Sequence, residues 1–158
     1  MDVILGGMCT GKTSLEKKNT KYVDLDIFAN VKTQRQIGIV RQMIADFAEK
    51  CDKENIYLFN MDRFFKYELE TIPSIKILEI IIPSEQAFSY YKMLYQQREI
   101  KRNGGVRTKA FNIFCASLRF NFEKAKELEK QGIKVVYLEP GAGLLKNYLL
   151  YKEEGEHK

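Results

Sequence analysis

Short apolar runs separated by polar stretches set the pattern of this chain. Val3-Ile4-Leu5 is bounded by Gly6-Gly7, as suits a buried strand that ends in a turn. Residues 21–24 form a second short strand, ending in Asp24-Leu25-Asp26, and Ile56-Tyr57-Leu58-Phe59 a third, ending near Asn60-Met61-Asp62-Arg63. A fourth strand covers residues 75–82 and stops at Pro83; a fifth covers 134–138. Between them the apolar period changes to that of a helix. Residues 33–51 place Ile37, Val40, Ile44, Phe47 and Ala48 on one face. Pro83 and Ser84 open another helix, with Ser84 as candidate N-cap and Glu85 in its first turn.

A long helix then buries Phe111, Phe114, Cys115, Leu118, Phe122, Ala125 and Leu128, and Gly132 is its expected stop. Shorter helices are expected at 11–18 and 144–151. The basic, glycine-centred stretch 98–109 breaks the pattern and predicts a mobile loop between two helices. Strands alternating with helices imply an α/β fold: a five-stranded parallel sheet with helices on both faces. No repeat or linker divides residues 1–151, which read as a single domain, and 152–158 read as a frayed polar tail.

Composition narrows the chemistry. The chain has 158 residues, enough for one core. No apolar run nears the ~20 residues needed to cross a bilayer, and Met1-Asp2-Val3-Ile4-Leu5, with no basic n-region, does not read as a signal peptide. Cys9, Cys51 and Cys115 are odd in number and contain no Cys-x-x-Cys pair, so neither a disulfide framework nor a zinc site is indicated. A reducing, cytoplasmic setting is expected. The single histidine, His157, lies in the tail, which argues against histidine catalysis. The net charge of +5 favours anionic ligands or a solvated lysine-rich surface.

Residues 6–13 read Gly6-Gly7-Met8-Cys9-Thr10-Gly11-Lys12-Thr13, a full match to Gly-x-x-x-x-Gly-Lys-Thr. In such a loop the glycines let the backbone curl its N–H groups inward, and those groups and the next helix N-terminus, through Ser14, bind phosphate oxygens. Lys12 is placed to neutralise the β- and γ-phosphates and serves as a catalytic cation, and Thr13 to bind Mg²⁺. Asp24 and Asp26 follow the second strand, where a parallel sheet lines its ligand crevice. One can hold Mg²⁺ and the other accept a proton from an acceptor hydroxyl; the pair can also be a helix cap and a surface charge.

At these residues the chain resembles the shikimate kinase and gluconate kinase branch of the small P-loop kinases, grouped with the nucleoside monophosphate kinases. The resemblance covers most of the chain in order of elements, and is motif-level at residues 6–13 and 24–26. It implies a three-layer P-loop NTPase fold with a mobile lid near 98–110, and ATP and Mg²⁺ as cofactors. By the same resemblance Asp24 helps bind Mg²⁺ and Asp26 contacts the acceptor. Arg98 is a lid arginine on the transferring phosphate, Arg102 contacts ATP, and Glu139-Pro140-Gly141-Ala142-Gly143 lies where adenine binds. The glycine triplet that shikimate kinases carry after strand three is absent, as is the Asp-Gly-x-Pro-Arg run frequent in monophosphate kinases. Asp62 is instead a second metal candidate and Arg63 a partner for an acceptor anion, or they are a helix cap and a surface ion pair. Arg41 is either a clamp on the acceptor or a solvated side chain, and Arg119 can reach inward.

The function expected is transfer of the γ-phosphate of ATP to a small acceptor, a nucleotide, a nucleoside or a metabolite hydroxyl. A kinase acting on a nucleic acid end or base is the alternative, and a non-catalytic nucleotide-binding regulator the second. The Asn-Lys-x-Asp guanine motif of switch GTPases is absent. No membrane partner is expected, and the sequence leaves the oligomeric state open.

Overall fold

A computed structural model describes residues 1–7, 21–25 and 33–140. The helices expected at 11–18 and 144–151, and the polar tail, lie outside those residues. Five strands form one all-parallel sheet: β1 (Asp2–Gly6), β2 (Tyr22–Asp24), β3 (Ile56–Asn60), β4 (Lys76–Pro83) and β5 (Val135–Leu138), in the order β2-β3-β1-β4-β5. The expected sheet is thus observed, with boundaries within a residue or so of the apolar runs. In the centre, Val3, Ile4 and Leu5 are almost wholly buried, because a strand covered on both faces must be apolar at every position.

Two apolar clusters flank the sheet. Val3, Leu5, Tyr57, Phe59, Ile80 and Ile82 face one side, where they meet α1 (Gln34–Lys50), α2 (Met61–Lys66) and the last turns of α4 (Thr108–Lys130). Ile4, Leu58, Ile81 and Leu138 face the other, under α3 (Phe88–Asn103) and the first half of α4. Tyr95 of α3 stacks on Phe114 of α4 with ring centroids 4.4 Å apart, which joins those helices. The β1–β4 register shifts between Val3 and Ile4, so Leu78 is extra and Glu79 stands opposite Ile4. Glu79 is only 2% exposed, and Lys134 at the entrance to β5 answers its charge at 3.3 Å.

Helix α1 begins where the sequence places it. Thr33 is its N-cap: its hydroxyl accepts the Gln36 N–H at 3.1 Å, and the Gln36 side chain accepts the Thr33 N–H at 3.0 Å. This reciprocal pair satisfies two of the helix's orphan donors. Val40, Ile44 and Ala48 are buried as expected. Phe47 is 41% exposed, because its ring leans edge-on against Tyr57 at 5.4 Å rather than entering the core.

Two expectations need correction. Ser84 is not a side-chain cap, since a single turn of 3-10 helix (Glu85–Ala87) precedes α3 and no side chain caps it. The Ser84 hydroxyl bonds Glu139 at 3.4 Å instead, and its N–H bonds the Leu138 carbonyl at 2.9 Å, tying the exit of β4 to that of β5. The loop expected over 98–109 is mostly helix: α3 continues through Arg98 and Arg102 to Asn103, and α4 starts at Thr108. The run Arg98-Glu99-Ile100-Lys101-Arg102 consists of adequate helix formers, and the helix proceeds until Gly104, whose φ of 74° ends it with an N–H bond to the Ile100 carbonyl at 2.9 Å. Gly132, at φ 97°, follows the end of α4 as expected. Among the described residues, no helix is long and apolar enough to cross a membrane.

Candidate functional site

The strand order itself marks a place for a ligand. From β1 the chain passes to β2 on one side of the sheet, whereas from β4 it passes to β5 on the other. Neighbouring β1 and β4 therefore send their connections apart, and the crevice outside their carboxyl ends is where open parallel sheets bind ligands. Gly6 is the last residue of β1 and stands beside Asn60 of β3 and Ile81 of β4. The segment 6–13 thus leaves the middle of the sheet at that crevice. Gly6 and Gly7 are described; Met8, Cys9, Thr10, Gly11, Lys12, Thr13 and Ser14 lie outside the described residues. A Cβ built on Gly7 would meet open space.

The exit of β3 supplies the best-defined polar groups. Asn60 is 4% exposed and caps α2, its side-chain oxygen accepting the Arg63 N–H at 3.3 Å. Asp62, in the first turn of α2, is half-buried and accepts a hydrogen bond from the Ser117 hydroxyl of α4. Ser117 in turn accepts from the Asn121 side-chain amide at 3.4 Å, a long bond. Asn121 is 4% exposed, and its Oδ1 has no hydrogen-bond partner. The chain Asn121–Ser117–Asp62 escaped the sequence reading. One signal was available: Asn121 interrupts the buried stripe of α4 between Leu118 and Ala125, and an amide rarely occupies such a position.

The remaining candidates are scattered. Asp24 ends β2, half-buried, opposite Leu58. Leu58 pairs in turn with Ile4, so Asp24 stands level with a residue two short of Gly6 and two strands away, roughly 10 Å across. Asp26, two residues further, lies outside the described residues. Among the described residues, no group of three acidic, histidine or cysteine side chains is placed to hold a metal, so Asp24 and Asp62 are not brought into one such cluster. Arg41 donates to the Thr71 hydroxyl at 2.6 Å, joining α1 to the 3-10 turn Leu69–Thr71.

Arg119 does not reach inward. It is 53% exposed, pairs with Glu85 at 2.5 Å and lies over the Phe88 ring at 5.0 Å. Arg98 and Arg102 are exposed on the last turns of α3. At the α3–α4 connection the Nε and terminal nitrogen of Arg107 bond the two oxygens of Glu99 at 3.1 and 3.3 Å, while Asn103 adds a third bond at 3.2 Å. The Arg107 hydrogen bond holds the Glu99 carboxyl below its usual range, against a smaller opposing effect of burial. No protein-family model matches this chain, and no curated protein matches it.

Proposed function

We propose that this chain is an ATP-dependent kinase of the P-loop type, which moves the γ-phosphate of ATP to a small acceptor: a nucleotide, a nucleoside or a metabolite hydroxyl. The observation that carries the reading is the coincidence of motif and topology. The Gly-x-x-x-x-Gly-Lys-Thr segment departs from the last residue of the central strand, at the point where connections diverge. A chance glycine-rich turn has no reason to fall there.

In this reading the backbone N–H groups of residues 6–13 surround the β- and γ-phosphates, and Lys12 offsets the charge that gathers as the γ-phosphoryl leaves. A hydroxyl oxygen of the acceptor attacks the γ-phosphorus, the bond to the β–γ bridging oxygen breaks, and ADP departs. Asp26 takes the hydroxyl proton. Thr13 and one of the two carboxylates, Asp24 or Asp62, offer the hard oxygen donors that Mg²⁺ prefers. Bound there, that ion would screen the phosphate charge. Arg63, just after the β3 exit, and Arg41, on the helix that follows Asp26 in sequence, suit an anionic acceptor. Arg98 and Arg102 belong to a helical arm, whose closure over ATP replaces the loop-like lid of the sequence reading.

The test is ATP consumption screened over nucleosides, nucleotides, shikimate-like polyols and DNA ends, with Lys12→Ala as the control. Turnover with one acceptor class, lost in Lys12→Ala at unchanged melting temperature, supports the reading. Equal background rates for both proteins across the whole screen would remove it. Turnover confined to DNA ends, with binding that weakens steeply with salt, would move the acceptor from metabolite to nucleic acid.

A further inference from the structure

We propose that Ser117 and Asn121 of α4 are positioning residues, which fix the direction in which Asp62 presents its carboxylate at the exit of β3. The inference rests on the phosphotransfer reading and assigns that site two residues on an element remote from it in sequence.

The argument follows the protons. A serine hydroxyl has one hydrogen and can donate it to one acceptor at a time. The Asn121 amide donates to Ser117 at 3.4 Å and thereby occupies one of its lone pairs. Ser117 donates its hydrogen to Oδ2 of Asp62. Turning the Asn121 amide over would put its oxygen against an oxygen whose only hydrogen is already committed, so the amide orientation and the hydroxyl direction fix each other. Asp62 is thus held through one oxygen by a helix 55 residues away in sequence, and its other oxygen is the one left for a cation, a cation-bound water or an acceptor hydroxyl.

The price of this arrangement is visible. Oδ1 of Asn121 is buried with no hydrogen-bond partner, at a position where the neighbouring buried residues of α4 are Leu118 and Ala125. A leucine there would avoid the unpaired oxygen. Its absence is explained if the amide is needed to stop the Ser117 hydroxyl from swinging to its own helix's carbonyls, which is the ordinary habit of serine within a helix.

The experiment measures kcat, the Mg²⁺ concentration for half-maximal turnover, ATP affinity and melting temperature for the full chain and five variants. Asp62→Asn sets the size of the effect. Ser117→Ala should lower turnover or raise the Mg²⁺ requirement by roughly 10- to 100-fold, the usual range for a group that orients a metal ligand. Ser117→Thr keeps the hydroxyl and should restore turnover. The double variant Asp62→Asn/Ser117→Ala should be no worse than Asp62→Asn alone, because both act through one carboxylate. Asn121→Leu should melt at the same or a higher temperature yet turn over more slowly, which a purely structural amide would not do. Full activity in Ser117→Ala, or losses that multiply in the double variant, would overturn the proposal while Lys12→Ala still abolishes turnover. If the wild-type chain and Lys12→Ala are equally inactive, the phosphotransfer reading itself fails and takes this one with it.

Discussion

Asp24 and Asp26 show how much a position two residues apart decides. Asp24 pairs with Leu58 within the sheet, and the N–H of Leu25, the next residue, bonds the Leu58 carbonyl at 2.9 Å. The proposed reaction gives the role of proton acceptor to Asp26. Asp26→Asn keeps size and hydrogen-bonding shape but cannot take a proton, and is expected to lower kcat by about 10²–10⁴-fold while leaving ATP affinity nearly unchanged. Steady-state rates beside equilibrium nucleotide binding check this, and unchanged turnover would return the role to another carboxylate. Asp62 is a different kind of residue, legible in sequence as an acid after a strand but bonded by the Ser117 hydroxyl of a distant helix.

Two expectations belong to whole elements. The first turn of α1 depends on the Thr33–Gln36 box, so Thr33→Ala should cost about 1 kcal/mol, measured as a shift in the denaturant midpoint at constant slope. The α3–α4 hairpin depends on the Glu99 carboxylate gripped by Arg107 and Asn103. Because Glu99 titrates lower in the folded chain than it would unfolded, it binds fewer protons when folded. The stability it adds is fully present above the ordinary carboxylate value, about 4.3, and is lost as the pH falls through the depressed folded value. The melting temperatures of the wild-type chain and Glu99→Gln should therefore differ near neutral pH and converge in acid. Three side-chain hydrogen bonds to Glu99, from Asn103 and Arg107, hold the ends of the 104–107 connection.

At the scale of the molecule, stability resides in the two apolar layers on either side of the sheet. Phe64 of α2 is fully buried and meets Phe59 and Phe65 edge-on, with centroids at 6.0 and 5.3 Å. Phe64→Ala removes a large side chain from a layer with little freedom to collapse, and should cost about 3–5 kcal/mol. In a chain of this size that lowers the melting temperature by on the order of 10 °C, which calorimetry would detect. Met61, also fully buried, directly precedes Asp62, so damage to this layer should also blunt turnover, and the two losses should appear together.

The alternation of apolar runs with helical periods was enough to read five strands, three long helices and a parallel sheet, because burial on two faces demands uninterrupted apolar strands and burial on one demands a 3.6-residue period. Local chemistry likewise announced the stop at Gly132 and the motif at residues 6–13, but not the Thr33 cap. The strand order was not legible, since many orders satisfy the same hydrophobic pattern, and only packing chooses among them. Nor was the end of α3: glycine-rich, basic sequence looks like a loop until the tertiary pairing of Glu99 with Arg107 is seen. The link from Asn121 through Ser117 to Asp62 is tertiary altogether, because a hydrogen bond between residues 55 positions apart leaves no periodic trace in the chain that folds to make it.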